Sequence, residues 1–494
     1  CGNSQAMVNS HYYYLGMRPS IPCGLCRRVF DFCTIKNMPI QSKNPATLEV
    51  VKTFKELSKK ELEAKLAKSA VAYDAWRKTS FVERAKLMRN LGEYLREHAN
   101  ELSALQTLEM GKTMKSGPAG LVKCAAVCDY YADNTEKILA QEKIESESGE
   151  ERYVQFDPLG AVLAVMPWNF PFWQVYRFAA PAIMAGNVGL LKHASNVPQC
   201  ALAIEESFKK VGFPEGVFQN LFLSVPQVES VIRDPRVAAV TLTGSERAGA
   251  SVASIAASLI KKAVLELGGS DPFIVLEDAD IAHAVAVAAT ARLQANVGQS
   301  CISAKRFIVH KKVVKEFTGL LVKEFEKLKI GDPTDTDTDI GPLATEHILA
   351  EVEKQVSKSV AKGAKIISGG ARLKMKGYFY PPTVLTKVKK GMPVYDEEVF
   401  GPVAPIIEFA NEKEAIWIAN DTPYGLGATL FTSDMARAKR LIPQIEAGNV
   451  FVNGMVKSDP RTPFGGVKKS GYGRELSAYG IKEFVNIKNV CIKK

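Results

Sequence analysis

No apolar run in this chain of 494 residues approaches the ~20 residues needed to cross a bilayer, so nothing in it reads as a membrane span. Basic tracts are missing as well. The net charge is +11, yet lysine and arginine are spread along the whole length with no arginine-rich arm. That distribution argues against a nucleic-acid surface and favours a basic enzyme with anionic ligands. A disulfide framework is also absent: the nine cysteines are odd in number and irregular in spacing, which fits a reducing compartment. "CGLC" at Cys23–Cys26 has the spacing of half a zinc site, but no second pair follows, and no metal is expected. Residues 1–37 lack both apolar periodicity and the apolar core of a signal peptide, whereas "MPIQSKNPATLEVV" from Met38 reads as the start of the folded chain. The expected location is cytoplasmic, or organellar if residues 1–37 are a transit segment; a cloning remnant is the other reading of that piece.

Periodicity is what the chain does contain. From Lys55 to about Lys137, "SKKELEAKLAKSAVAYDAW", "FVERAKLMRNLGEYLREHANELSAL" and "AAVCDYYADNTEKIL" carry apolar residues at three- and four-residue spacing, the mark of helices. "GKT" at Gly111–Thr113 is no phosphate loop, because Gln106 stands where the first glycine of that motif belongs. The rhythm then changes to short β-branched runs, "GAVLAVMP", "NVGLLKHA", "FQNLFL", "AAVTLTGS" and "KKAVLELGG", separated by helical segments. Strands alternating with helices predict βαβ units and a parallel sheet. A second such block runs from "DPFIVLEDAD" through "AKRFIVH" and "GPVAPIIEF" to "NVFVNG". "YVQF" near Tyr153 and the tail "EFVNIKNVCIKK" read as strands without local partners, an arrangement that commonly pairs with another subunit.

Four stretches carry chemistry. "TLTGSERAG" closes a strand and opens a helix at Gly244 and Ser245, where backbone N–H groups and the positive helix end can face a phosphate; the full G-x-G-x-x-G pattern is lacking. In "MPWNFPFWQVYRF", Asn169 stands after a strand with Pro171 opening a helix. Its amide can donate to a developing oxyanion, or Asn169 is an ordinary turn former. Trp173 and Arg177, four apart on that helix, share a face that suits a carboxylate tail; the plainer reading is an arginine lying over apolar neighbours. "LELGG" ends a strand at Glu266, either a solvated terminus or a base over a pocket. "NVGQSCISAKRF" sets Cys301 behind Gly298, Gln299 and Ser300 with no second cysteine following.

Taken together, "PWNFP", "LELGG", "GQSC", "EEVFGP" at Glu397–Pro402 and "PFGGVKKSGYGRE" at Pro463–Glu475 resemble the aldehyde dehydrogenases, in that family's order and over about Lys43 to Lys494. "NFPFWQVYRFAAPAIMAGN" and "KSDPRTPFGG" are most similar to the bacterial-type succinate-semialdehyde members. The resemblance implies an α/β fold with two Rossmann-like parallel-sheet domains and a small β oligomerisation element. The expected bounds are 38–267 for cofactor binding (145–157 contributing to oligomerisation), 268–455 for catalysis and 456–494 for a return segment and oligomerisation strand. Residues 1–37 form an extension with no counterpart in the family.

The same resemblance implies roles. Cys301 is the nucleophile, a thiol suited to it because the thiolate attacks carbonyls readily and the thioester remains hydrolysable. Asn169 and the Cys301 N–H hold the oxyanion, and Glu266 activates the hydrolytic water. Trp168, Lys192, Ser195, Gly244, Ser245, Leu267, Glu398 and Phe400 are expected at the dinucleotide. Trp173, Arg177, Ser458 and Phe464 are expected at the substrate, with Arg461 an alternative helper to Ser458. Ser195 stands where many NAD-preferring members carry a glutamate; a serine can donate to a 2′-phosphate that a carboxylate would repel, so NADP is the expected cofactor and NAD the alternative. Two departures stand out. Ser303 replaces the second cysteine of a redox switch, and Ala295 replaces a second substrate arginine. The implied reaction is oxidation of succinate semialdehyde to succinate by a homodimer or homotetramer. Glutarate semialdehyde or an aliphatic aldehyde is the nearby alternative, and a non-catalytic relative the distant one.

Overall fold

Two serines decide where the first helices begin. Ser58 and Ser80 each form a capping box, with Glu61 and Glu83 three residues on, and start the helices Lys59–Trp76 and Phe81–Glu97. In the computed structural model, which describes residues 39–146, 149–294 and 296–493, the run read as one helix from Phe81 breaks at His98. A second helix, Ala99–Met110, follows. His98 leaves helical dihedrals, and its Nδ1 lies 2.9 Å from the Tyr94 carbonyl, so the ring occupies a turn the periodicity did not mark. Gly111 ends the second helix in the left-handed region at φ 77°. "GKT" is therefore a helix terminus. The readings on residues 1–37, the Cys23–Cys26 pair and Ala295 lie outside the described residues.

The first α/β block forms a six-stranded sheet. Its order is Gly471–Tyr472, Lys262–Glu266, Val237–Thr243, Ala161–Met166, Val188–His193, Phe218–Asn220, parallel except for the short first strand. From Ala161–Met166 the chain steps outward twice on one side, then returns to build the other. The chain leaving the carboxyl ends of the paired strands Ala161–Met166 and Val237–Thr243 therefore runs to opposite sides of the sheet, and that switch point is where open α/β sheets bind ligands.

The second block forms a seven-stranded sheet in the order Lys365–Ser368, Thr383–Thr386, Val403–Phe409, Arg306–His310, Pro272–Val275, Gly427–Phe431, Asn449–Val452. Only Lys365–Ser368 runs antiparallel. Its central strands are buried throughout, as parallel strands covered on both faces must be. Each sheet carries its own hydrophobic core.

One expectation needs correction. Tyr153 and the C-terminal tail are not without partners in the chain: Glu151–Pro158 pairs with Val485–Ile492 over eight residues and with Glu142–Ile144 on its other side. More than 300 residues separate the two long strands, so local reading had no means of joining them. Ile144, Ile487 and Ile492 remain exposed on this small antiparallel sheet. Among the described residues, no helix is long and apolar enough to cross a membrane, and no three His, Cys, Asp or Glu side chains cluster as metal ligands.

Candidate active site

Cys301 follows an irregular segment. The helix Ile281–Ala289 passes into a π-helical turn at Thr290–Gln294, and Val297 and Gly298 then take positive φ of 53° and 75°. A side chain at Gly298 would run into the Gly401 carbonyl, so glycine is required both for its backbone and for its lack of Cβ. Lys305 fixes the loop from below: its Nζ donates to the carbonyls of Ser300 at 2.8 Å and Cys301 at 2.6 Å and pairs with Glu398 at 3.1 Å. Glu398 in turn accepts from the Gly269 N–H at 3.0 Å. The nucleophile loop and residues 398–401 are thus one connected unit.

Among the described cysteines, Cys124, Cys128 and Cys200 are buried and Cys491 is exposed; Cys301 alone is half-buried at a cavity wall. Burial pushes its thiol up to about 12, with Arg177 and Lys305 pulling the other way and Glu398 and Glu266 reinforcing burial. Asn169 lies beside this loop. Its Nδ2 donates to the Gln299 carbonyl at 3.1 Å, and its own carbonyl accepts from Asn296 Nδ2 at 2.7 Å. An amide nitrogen has two N–H bonds, so one such contact orients the group and leaves a donor for a second acceptor.

A cavity of about 350 Å³ opens at the Cys301 side chain, walled by Trp173, Arg177, Phe464, Ser458 and Lys123. The helix Pro171–Met184 delivers Trp173 and Arg177 to it, as their four-residue spacing predicts. Arg461 is not among the lining residues; it is exposed and holds Asp459 at 2.6 Å. The arrangement around Arg177 differs from a bare anion receptor. Its guanidinium is buried in an ion pair with Glu475, donates to Thr243 Oγ1 at 3.3 Å and lies 4.9 Å from the centre of the Phe464 ring. Glu266 is buried nearby, and neither of its carboxyl oxygens has a hydrogen-bond partner in the protein. Burial, then the Glu475 charge, raise Glu266 well above the usual carboxylate range against the opposing pull of Arg177 and Arg474. Glu475 is raised too, again chiefly by burial. One arginine therefore serves two buried carboxyl groups.

Arg177→Met should destabilise the fold by about 3–5 kcal/mol, since it strands Glu475 without its cation. In denaturant unfolding the midpoint should drop, and Arg177→Met/Glu475→Met should recover much of the loss. An unchanged midpoint for the single variant would mean that the pair contributes no stability.

The dinucleotide candidates gather at the switch point. Gly244 ends the strand Val237–Thr243, and Ser245 caps the helix Glu246–Ser258, its hydroxyl accepting from Ala248 N at 3.4 Å. The first-turn N–H groups of that helix face outward for an anion. Leu267 packs against Gly249 on the same helix, where a Cβ would meet its Cδ2 at 2.6 Å. Lys192 lies on the neighbouring strand Val188–His193, its ammonium lowered by burial, and Ser195 sits in the turn that follows. Trp168 and Phe400 meet edge to face at 5.8 Å, bridging the two sheets. With no acidic residue from Lys192 to Val197, the corner fits an anionic group on an adenosine ribose.

Lys123, Lys305 and Glu475 were not found from the sequence. Lys123 stands within an amphipathic helix and Lys305 beside a strand, where lysines are ordinarily solvated, so only their tertiary partners distinguish them.

Compared with models of protein families, residues 34–490 match the aldehyde dehydrogenase family. Succinate-semialdehyde dehydrogenase (NADP(+)) 1 of Mycobacterium tuberculosis is 54% identical over 457 residues, covering 92% of this chain and 100% of its own. A probable succinate-semialdehyde dehydrogenase (NADP(+)) of Synechocystis is 54% identical over 455 residues, with the same coverage. Among solved structures, succinic semialdehyde dehydrogenase from Streptococcus pyogenes, in complex with NADP+, superposes with a TM-score of 0.90 at 40% identity. It matches 92% of this chain and 100% of that one.

Proposed function

This chain belongs to the aldehyde dehydrogenase family, and from that premise we propose that it oxidises succinate semialdehyde to succinate with NADP as the hydride acceptor. The observation that carries the reading is the cavity beside Cys301, whose wall presents the cationic groups Lys123 and Arg177 and the Ser458 hydroxyl to an aldehyde with an anionic end. The relatives named above act on the same aldehyde by their names. The test is kcat/KM for succinate semialdehyde against butyraldehyde, equal in chain length but uncharged. A preference of about tenfold or more for the former is expected, and equal values would refute the substrate assignment.

The reaction follows from the residues. The Cys301 thiol loses its proton to solvent water and attacks the aldehyde carbon, giving a thiohemiacetal whose oxyanion accepts from the Asn169 amide and the Cys301 N–H. A nicotinamide bound beside Trp168 and Phe400 supplies the acceptor for the hydride that leaves this carbon. Collapse produces a succinyl thioester on Cys301. Glu266, unbonded within the protein, takes a proton from water, which attacks the thioester and releases succinate and the thiol. Burial of Glu266 gives it the basicity for this step, and Arg177 limits how far its proton affinity rises.

Ser195 and Lys192 are the residues we assign to the 2′-phosphate. Ser195→Glu should shift the kcat/KM ratio of NADP to NAD toward NAD by about 1–3 kcal/mol, through repulsion of the phosphate and new acceptors for ribose hydroxyls. An unchanged ratio would locate the adenosine ribose elsewhere.

A further inference from the structure

Lys305 does not line the Cys301 cavity, yet its side chain is only 1% exposed and ends against the loop that does. Its Nζ donates to the carbonyls of Ser300 at 2.8 Å and Cys301 at 2.6 Å, and its counter-charge is Glu398 at 3.1 Å. The Ser300 carbonyl matters most here, because it belongs to the same peptide unit as the Cys301 N–H. That unit is trans, so its carbonyl and its N–H point in opposite directions. Among the described residues the Cys301 N–H has no acceptor. Resting on the reading of Cys301 as the nucleophile of an aldehyde oxidation, we propose that Lys305 is a positioning residue for the oxyanion: by holding the Ser300 carbonyl from behind, it aims and polarises the Cys301 N–H that meets the developing charge.

Amide resonance joins the two ends of a peptide unit. A cation at the oxygen draws electron density from the nitrogen and makes the N–H a stronger donor. The Ser303 N–H also reaches the Ser300 carbonyl, at 3.2 Å, but a neutral donor polarises it less than an ammonium does. The geometry is fixed on both sides of the contact. The Lys305 N–H donates to the Asp271 carbonyl at 3.0 Å, where the strand Pro272–Val275 begins. The Cys301 carbonyl sits so close to Gly269 that a Cβ there would meet it at 2.7 Å. The second glycine of "LELGG" thus leaves room for a carbonyl that the lysine then holds. The same ammonium also helps to pull the Cys301 thiol down against burial. That effect changes how much thiolate is present, whereas the peptide contact changes how well the tetrahedral adduct is stabilised, and the two can be measured apart.

The experiment sets two reactions of Cys301 against each other in wild type, Lys305→Met and Lys305→Gln. The first is the first-turnover rate of NADPH formation by rapid mixing, with succinate semialdehyde and NADP both saturating for each variant. The second is alkylation of Cys301 by iodoacetamide at the same pH, followed by the mass of the Cys301 peptide. Both rates scale with the thiolate population and with correct placement of the sulfur. Only the first builds negative charge on a carbonyl oxygen, since alkylation displaces iodide from a saturated carbon. Their ratio therefore isolates the oxyanion. Lys305→Met should lower this ratio by roughly 10- to 100-fold, less than or equal to the loss of a whole oxyanion donor. Lys305→Gln, which keeps N–H donors on a neutral amide, should lower it by at least about threefold. If both rates fall together, or if neither falls, the ratio stays near the wild-type value; Lys305 then acts on the thiol or the fold alone, and the assignment is overturned. If Lys305→Met does not fold, Lys305→Gln decides, and a ratio equal to that of wild type overturns the proposal. Should wild type form no NADPH from the aldehyde while Cys301 is still alkylated, the reading of the reaction fails before Lys305 is in question.

Discussion

Cys301→Ala should abolish aldehyde oxidation, with kcat down by at least about 10⁴-fold, because a methyl group can neither form nor release a thioester. NADP affinity should scarcely change. The residue contributes a thiol at the cavity wall, whereas the loop is held by backbone contacts that the substitution spares: the Ser300 and Cys301 carbonyls on Lys305, and the Lys305–Glu398 pair. Dinucleotide fluorescence titration and steady-state NADPH formation separate the two effects. Residual turnover above about a hundredth of wild type would require a non-covalent route or another nucleophile. The remaining described cysteines offer no substitute. Cys124, Cys128 and Cys200 are buried, and Cys491 is exposed on the C-terminal strand.

Glu266→Gln has the second-largest expected effect, and its form is more informative than its size. Acylation of Cys301 and hydride transfer do not need the carboxylate, so rapid mixing should show a burst of NADPH close to one per active site. A steady state reduced by about 10²- to 10³-fold should follow, the usual contribution of a general base. The pH profile sharpens the test. Burial raises Glu266, so in wild type the basic form gains population as pH rises through that raised value, and hydrolysis should speed up with it. In Glu266→Gln this dependence should vanish from the steady state. A variant that turns over normally, or that loses the burst along with the steady state, would reassign the base.

The sequence makes the chemistry legible where motif and backbone coincide. Strand–Gly244–helix, Asn169 before Pro171, Glu266 at a strand end and Cys301 behind Gly298 are local patterns, and the fold keeps each as a local feature. Both parallel sheets were foreseen for the same reason, since β-branched runs between helices are local too. Three things were not legible. The helix break at His98 depends on a ring bonded one turn back. The pairing of Glu151–Pro158 with Val485–Ile492 joins segments far apart in the chain that no periodicity relates. The commitment of Arg177 to Glu475 could not be read from an i,i+4 pattern, because the acid arrives from nearly 300 residues away. The pattern placed Arg177 on the cavity wall; only the tertiary partner assigned its charge.

The most direct measurement of the central claim is the mass of the Cys301 peptide after Glu266→Gln is mixed with succinate semialdehyde and NADP and quenched in acid within the burst. A thioester survives acid, whereas a thiohemiacetal reverts. The account predicts a succinyl adduct on Cys301 that appears only when NADP is present and at close to one per subunit. An unmodified Cys301 alongside a full NADPH burst, or a succinyl group on another residue, would contradict it.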